Sequence, residues 1–159
     1  ERLIEANAWV NPTLHVRRAA IRAAEDRKSE GAFSKDEQLA LDDQYRGLDS
    51  RVKAVGTMID QGVKMVAGSD SPWGHYAPGE FVYEMEMLTQ AGLSYGDALL
   101  SGTAWSAASI GADGVSGSLE IGRQADILVA GGDPMKGMPA LWDIRDVFQA
   151  GAAIQRQVK

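Results

Sequence analysis

The feature that most constrains the fold is a long amphipathic pattern that leads straight into a short apolar run. Apolar residues recur at alternating steps of four and three, which keeps them on one face of a helix: Leu41, Tyr45, Leu48, Val52, Val55 and Ile59. Gly47 could divide this helix in two, and Gly62 closes it as a C-terminal cap. Residues 63–67 then indicate a buried strand. A helix followed at once by a buried strand predicts an α/β fold.

The segments on either side extend this alternation of strands and helices. Residues 6–16 are apolar and contain a proline, which indicates a strand that runs into a loop. Residues 16–31 are rich in alanine and charge and end in glycine, as helices often do. Residues 79–92 follow the second strand and again have a helical composition closed by glycine. The predicted order of strand, helix, helix, strand and helix is typical of a parallel α/β arrangement.

Hydroxyl side chains mark the predicted starts of three helices. Ser34 and Glu37 form a capping box before the long helix, because each side chain can bond the backbone amide of the other residue. Ser94 and Thr103 precede two short helical segments and are predicted to cap them.

The C-terminal part has a different character. After Gly114 the sequence is punctuated by glycine, enriched in β-branched residues and without helical period. Residues 143–159 predict two strands around a turn at Gly151. We therefore predict an α/β unit over residues 1–113 and a β segment over residues 114–159.

Composition narrows the classes of partner and compartment. The chain has 159 residues, a net charge of -6 and no cysteine. The negative charge argues against a nucleic-acid or anionic-membrane partner, which would require a basic surface. Without cysteine, neither a disulfide framework nor a thiolate metal site can form.

The chain shows no signal-peptide pattern and no apolar run of membrane-spanning length, so we expect a soluble cytoplasmic protein. It opens with Glu1 and reads like the middle of a longer polypeptide.

Asp70 is the main candidate for chemistry, because it comes directly after the second predicted strand. In parallel α/β folds, catalytic groups lie in the loops at the carboxyl ends of strands. A carboxylate there can ligate a divalent metal or take a proton from water. An Asx turn, in which Asp70 caps the turn before Pro72, explains the same residue equally well.

Three segments carry a family resemblance when they are taken in order. They are "GVKMVAGSDSP", "ALLSGTAWSAASIG" and "GSLEIGRQADILVAGGDP". Together they resemble the C-terminal portion of the amidohydrolase superfamily, in particular its imidazolonepropionase and prolidase-like branch. The resemblance implies the last two strands and helices of a TIM barrel, followed by strands of a small β-sandwich.

The same resemblance implies a function for Asp70. The matching residue of the family is a metal ligand and the acid/base that deprotonates the attacking water, and the expected metal is divalent, with zinc the first choice. The reaction is hydrolysis of an amide-type C–N bond, in a dipeptide or a cyclic amide. Trp73 and His75 lie in the following loop and become candidates for substrate contact, although for His75 the favoured interpretation is a plain exposed loop residue.

The ligands that such a site requires are largely absent from this sequence. The family's H-x-H pair has no counterpart, and the only histidines are His15 and His75. We therefore expect a fragment of a longer enzyme that holds no metal alone. Its strands would have open edges, which recruit other chains, so we also expect a homo-oligomer. The alternative is a non-catalytic α/β module that associates through those edges.

Two further groups have simpler interpretations. His15 is expected to be structural or exposed. Glu80, Glu84 and Glu86 have no histidine at ligand spacing, and we expect them to form a solvated helix face.

Overall fold

The computed structural model describes residues 1–31 and 33–155 and has a mixed α/β architecture, as predicted. The elements follow in this chain order: α1 (Arg2–Glu5), β1 (Trp9–Val10), α2 (Leu14–Ser29), α3 (Lys35–Asp60), β2 (Lys64–Met65), α4 (Phe81–Ala91), α5 (Tyr95–Ser101), α6 (Ala104–Ser109), β3 (Ile127–Ala130), β4 (Ile144–Gln149) and β5 (Ala152–Ala153). Two short 3-10 helices, Pro134–Lys136 and Met138–Trp142, lie between β3 and β4.

The first two strands form a parallel pair, which confirms the predicted arrangement. Trp9 lies opposite Lys64, and Val10 lies opposite Met65. Side chains of paired residues share one face of a sheet, and Val10 and Met65 both pack into the apolar core. Helices α2 and α3 make the crossover that a parallel pair requires.

The long helix α3 runs without a break through Gly47, so the predicted division there is wrong. A Cβ atom at this position would lie 3.2 Å from Nη1 of Arg17 on α2. The glycine therefore lets a side chain of α2 cross closely over α3, and its helix-forming neighbours keep the helix continuous.

Within the ranges 1–31 and 33–155, even helices of this length lack the apolar stretch needed to cross a membrane.

Both predicted ends of α3 are confirmed. The Ser34 hydroxyl accepts from the Glu37 amide at 3.2 Å, and the Glu37 carboxylate accepts from the Ser34 amide at 2.8 Å. At the other end, Gly62 has a φ of 82°, and the Val63 amide donates to the Met58 carbonyl at 3.0 Å. This is the Schellman arrangement that a glycine after a helix permits.

The short helices α5 and α6 differ in their N-terminal caps. The Ser94 hydroxyl accepts from the Asp97 amide at 3.1 Å, which confirms the predicted cap of α5. The prediction for Thr103 is wrong, because its hydroxyl instead donates to the Leu99 carbonyl of the preceding helix at 2.7 Å. A hydroxyl that can bond backward to a helix carbonyl competes with its own capping role.

The core lies where the parallel strands meet the helices. Its buried members come from both predicted units: Leu14, Val55, Val63, Met65, Ala67, Met85, Met87, Leu88, Ala91, Ala98, Met138 and Leu141. The predicted stripe of α3 faces this core and a smaller cluster around Leu41, although Tyr45 is 43 % exposed.

The C-terminal strands form a separate antiparallel sheet in the order β3, β4, β5. The hairpin of β4 and β5 pairs Gln149 with Ala152 around the predicted turn at Gly151. Residues 156–159, which the prediction included in the second strand, lie outside the described residues. The boundary between residues 113 and 114 stays a prediction.

Candidate functional site

Asp70 lies in the loop that follows the carboxyl end of β2. Its backbone has a positive φ of 47°, and its carbonyl accepts from the Trp73 amide at 3.0 Å. The side chain is exposed. Among the residues the structure describes, its carboxylate has no hydrogen-bond or ion-pair partner. The turn therefore forms without a side-chain cap from Asp70, and both carboxylate oxygens stay open to a ligand.

The loop after β1 meets the loop after β2 at the same edge of the sheet. The side-chain amide of Asn11 lies so close to Gly68 that a Cβ atom there would overlap it. A glycine is therefore required at position 68, and Asn11 lies next to the backbone that leads into Asp70. Sequence reasoning missed Asn11, although its position directly before Pro12, where the predicted strand runs into a loop, was an available signal.

The two predicted substrate contacts lie further along the same loop. Trp73 is 67 % exposed, and His75 is exposed as well. The loop is tied internally, since the Tyr76 amide donates to the Trp73 carbonyl at 3.0 Å and the Ser71 hydroxyl donates to the Tyr76 carbonyl at 3.3 Å. Both aromatic groups thus extend from an ordered turn beside Asp70, and their contact with substrate stays a prediction.

The described residues do not form a metal centre on their own. Over residues 1–31 and 33–155, no three histidine or acidic side chains are arranged to hold a metal ion. A catalytic zinc site takes three protein ligands and leaves a position for water or substrate. Asp70 can supply one carboxylate to such a site.

The prediction of a solvated acidic face on α4 is wrong, most clearly for Glu84. This side chain is 0 % exposed, and its two oxygens accept from the backbone amides of Leu14 at 2.9 Å and His15 at 2.7 Å. It thereby caps α2, whose own N-cap residue, Thr13, makes no side-chain bond. Burial raises the pKa of Glu84 to about 6, against the lowering effect of the two amides.

The other two acids, Glu80 directly before α4 and Glu86 within it, pair with arginines of α2. Glu80 lies 3.6 Å from Nη1 of Arg22, and Glu86 lies 3.2 Å from Nη1 of Arg18. Both carboxylates are largely buried, with 25 % and 17 % of their side chains exposed. The two arginines are spaced four residues apart, which places both on one face of α2, the face that meets these acids.

His15 is completely buried, so the structural interpretation is confirmed and the exposed one is wrong. Its Nε2 lies 3.2 Å from Oε2 of Glu80. The imidazole meets the Tyr76 ring edge to face at 4.4 Å and stacks on Tyr83 at 4.8 Å. Burial lowers the pKa of His15, while Glu80 acts in the opposite direction.

An open groove of about 1060 Å³ lies between α6 and β3. Its lining is mostly apolar and includes Ile110, Leu119 and Leu128, with Asn11 at the sheet edge. Asp70, Trp73 and His75 are not among its lining residues. The groove and the Asp70 loop are therefore separate features that approach each other near Asn11.

Comparison with known proteins gives a consistent family assignment. A sequence profile described as the amidohydrolase family matches residues 21–145. No curated protein matches the chain in a sequence comparison.

Solved structures match over most of this chain. One is a Xaa-Pro dipeptidase with bound methionine in its active site, with a TM-score of 0.75, 18 % identity and coverage of 97 % of this chain and 36 % of that one. A putative prolidase from Bifidobacterium longum has a TM-score of 0.68, 25 % identity and coverage of 81 % and 31 %. Molinate hydrolase has a TM-score of 0.66, 21 % identity and coverage of 96 % and 33 %. The chain thus spans about a third of the length of each structure.

Proposed function

This chain belongs to the amidohydrolase family, and from that premise we propose that it is part of a metal-dependent hydrolase that cleaves an amide-type C–N bond. The proposed substrate is a dipeptide or a cyclic amide. The observation that carries the proposal is the open carboxylate of Asp70, in the loop that follows the parallel strand β2 and beside the loop of the neighbouring strand. This edge is where α/β enzymes concentrate their catalytic groups.

The fold supports a particular place for this chain in the larger enzyme. We propose that β1 and β2 are the last two strands of a TIM barrel and that β3 to β5 belong to a small β-sandwich. The parallel pairing, the helical crossover and the separate antiparallel sheet are the observations in favour. Because the chain spans about a third of the matched structures, the remaining parts of the site are proposed to lie in polypeptide outside these residues. Cytoplasmic location is part of the proposal, and the lack of cysteine fits it.

Asp70 has two roles in this proposal. Its carboxylate is one ligand of a divalent metal, zinc in our assignment, whose other ligands are supplied from outside the chain. It also accepts a proton from the attacking water and passes it to the leaving nitrogen. Trp73 and His75 extend from the same loop and are proposed to contact the substrate.

The decisive experiment is the activity of the full-length protein on a panel of dipeptides, with Asp70→Asn as the variant. Loss of a general base typically lowers turnover by about 100-fold or more, and we expect a loss of that size. Asp113→Asn removes an exposed carboxylate elsewhere and serves as the matched control. Near-normal turnover of Asp70→Asn would remove the proposed role.

A second function is favoured by the strand edges. Within the described residues, β1 and β2 form a sheet of two strands, and β3 and β5 are the edges of the other sheet. Ile110 and Leu119, which line the groove with β3, are exposed. Unpaired edges with apolar surroundings recruit further strands, so we propose that the isolated chain associates with copies of itself. Sedimentation velocity is expected to show an oligomer, and a compact monomer at high concentration would contradict this.

A further inference from the structure

The loop that carries Asp70 meets helix α2 at the buried side chain of His15, and Glu80 also lies 3.6 Å from Arg22 of the same helix. Two loop residues meet the imidazole: Tyr76 through its ring, at 4.4 Å, and Glu80 through its carboxylate, at 3.2 Å. Tyr76 is almost completely buried although both of its sequence neighbours are exposed. The contact with His15 is therefore the point where an otherwise exposed turn enters the core.

The loop is also closed on itself around these two residues. The Glu80 carboxylate accepts from the Ala77 amide at 3.3 Å, and the Tyr76 hydroxyl donates to the Glu80 carbonyl at 3.4 Å. The Ser71 hydroxyl donates to the Tyr76 carbonyl at 3.3 Å. A displacement of Glu80 or Tyr76 would consequently be transmitted to Ser71, the residue next to Asp70.

His15 is itself held firmly on the side of β1. Its backbone amide donates to the buried carboxylate of Glu84 at 2.7 Å, in the first turn of α2. Asn11 lies four positions earlier, at the sheet edge beside Gly68. His15 thus connects the loop after β1 with the loop after β2, which are the two loops that meet beside Asp70.

The chemistry of the imidazole indicates that packing is not its purpose. An ionised carboxylate only accepts hydrogen bonds, so Nε2 carries the proton that is shared with Glu80. Nδ1 is then buried without a partner among the residues described in the structure. An unsatisfied buried polar atom costs stability, whereas an apolar side chain would fill the same space without that cost. The hydrogen bond to Glu80 is the feature that an apolar residue cannot replace.

We propose that His15 is a positioning residue that holds residues 70–79, and with them Asp70, in register with the loop after β1. The importance of this register for catalysis rests on the proposed function of Asp70. The mechanical link between His15 and the loop does not, since it follows from the contacts alone.

A matched pair of variants tests the link. His15→Leu removes the donor, and His15→Gln retains an amide nitrogen that can reach Glu80, with a side chain of similar size. Hydrogen exchange of the Trp73 and Tyr76 amides in the purified chain is the measurement. Loss of one partly buried hydrogen bond to a carboxylate typically raises local opening about tenfold. We expect about that increase for His15→Leu and exchange close to wild type for His15→Gln.

Two comparisons separate positioning from general destabilisation. Amides of Val147 and Phe148 in β4 report on the rest of the fold, and their exchange is expected to be the same in both variants. In a Glu80→Leu background, His15→Leu and His15→Gln are expected to exchange equally, because the acceptor is gone. Equal exchange of the two variants in the wild-type background would overturn the proposal, as would an increase of equal size in β4.

Activity of the full-length protein distinguishes failure of this inference from failure of the proposed function. We expect His15→Leu to lower kcat more than it changes KM and His15→Gln to restore kcat. If Asp70→Asn keeps its turnover while the exchange pattern is as expected, the catalytic role of Asp70 fails and the link stands. If Asp70→Asn is inactive and the two His15 variants exchange equally, the link fails and the catalytic role stands.

Discussion

The buried carboxylate of Glu84 makes a quantitative prediction about stability and pH. Burial raises its pKa from 4.5 to about 6. At about 1.4 kcal/mol per pH unit, this rise corresponds to about 2 kcal/mol. The side chain is 0 % exposed, so solvent screening does not reduce the figure appreciably.

The sign follows from which state binds the proton more tightly. Between pH 4.5 and 6 the folded chain binds more protons at Glu84 than the unfolded chain does, so the free energy of unfolding decreases as pH rises. The contribution of Glu84 is fully present below pH 4.5 and is lost as pH rises through about 6. His15 acts in the opposite sense, because burial lowers its pKa and its contribution is lost as pH falls below 6.5.

The variant Glu84→Gln isolates the pH-dependent contribution of Glu84 to stability. His15 is present in the wild type and in the variant, so its own effect cancels. The free energy of unfolding, measured by urea titration at pH 4.5 and pH 7, is expected to shift by about 2 kcal/mol in favour of the variant over this range. Glu86→Gln removes one charge from the same helix and controls for net charge. A wild-type-minus-variant difference that stays flat, or that moves the other way, would refute the reasoning.

Two further predictions concern backbone geometry. Ser34→Ala removes the capping box and is expected to destabilise the chain by about 1 kcal/mol in urea unfolding, while Ser50→Ala, on the exposed face of the same helix, has little effect. Gly68→Ala is expected to cost about 1–3 kcal/mol, because its methyl group would overlap the Asn11 amide. Adding Asn11→Ala should recover most of that loss, and a double variant as unstable as Gly68→Ala would contradict the proposed contact.

The alternation of strands and helices could be predicted from the sequence because it depends on local periodicity. The stripe of α3, the capping box at Ser34 and the C-terminal glycine at Gly62 all act within a few residues, and the structure confirms each of them. Placing Asp70 in the loop after a strand depended on the same local pattern, although β2 itself ends earlier, at Met65.

Contacts between segments far apart in the chain decided which charged groups are buried and which residue caps α2. The capping partner of α2 is Glu84, which lies 70 positions from Leu14 and gave no local sign that it was buried. His15 is buried for the same reason, since Tyr76, Glu80 and Tyr83 reach it only when α4 packs on α2. Arg17 of α2 crosses α3 closely at Gly47, a contact that the local sequence does not indicate. Local periodicity in the sequence therefore determined which segments are helices and strands. The burial of each charged group was decided by packing between segments far apart in the chain, because a charged group that loses its hydration must gain a partner.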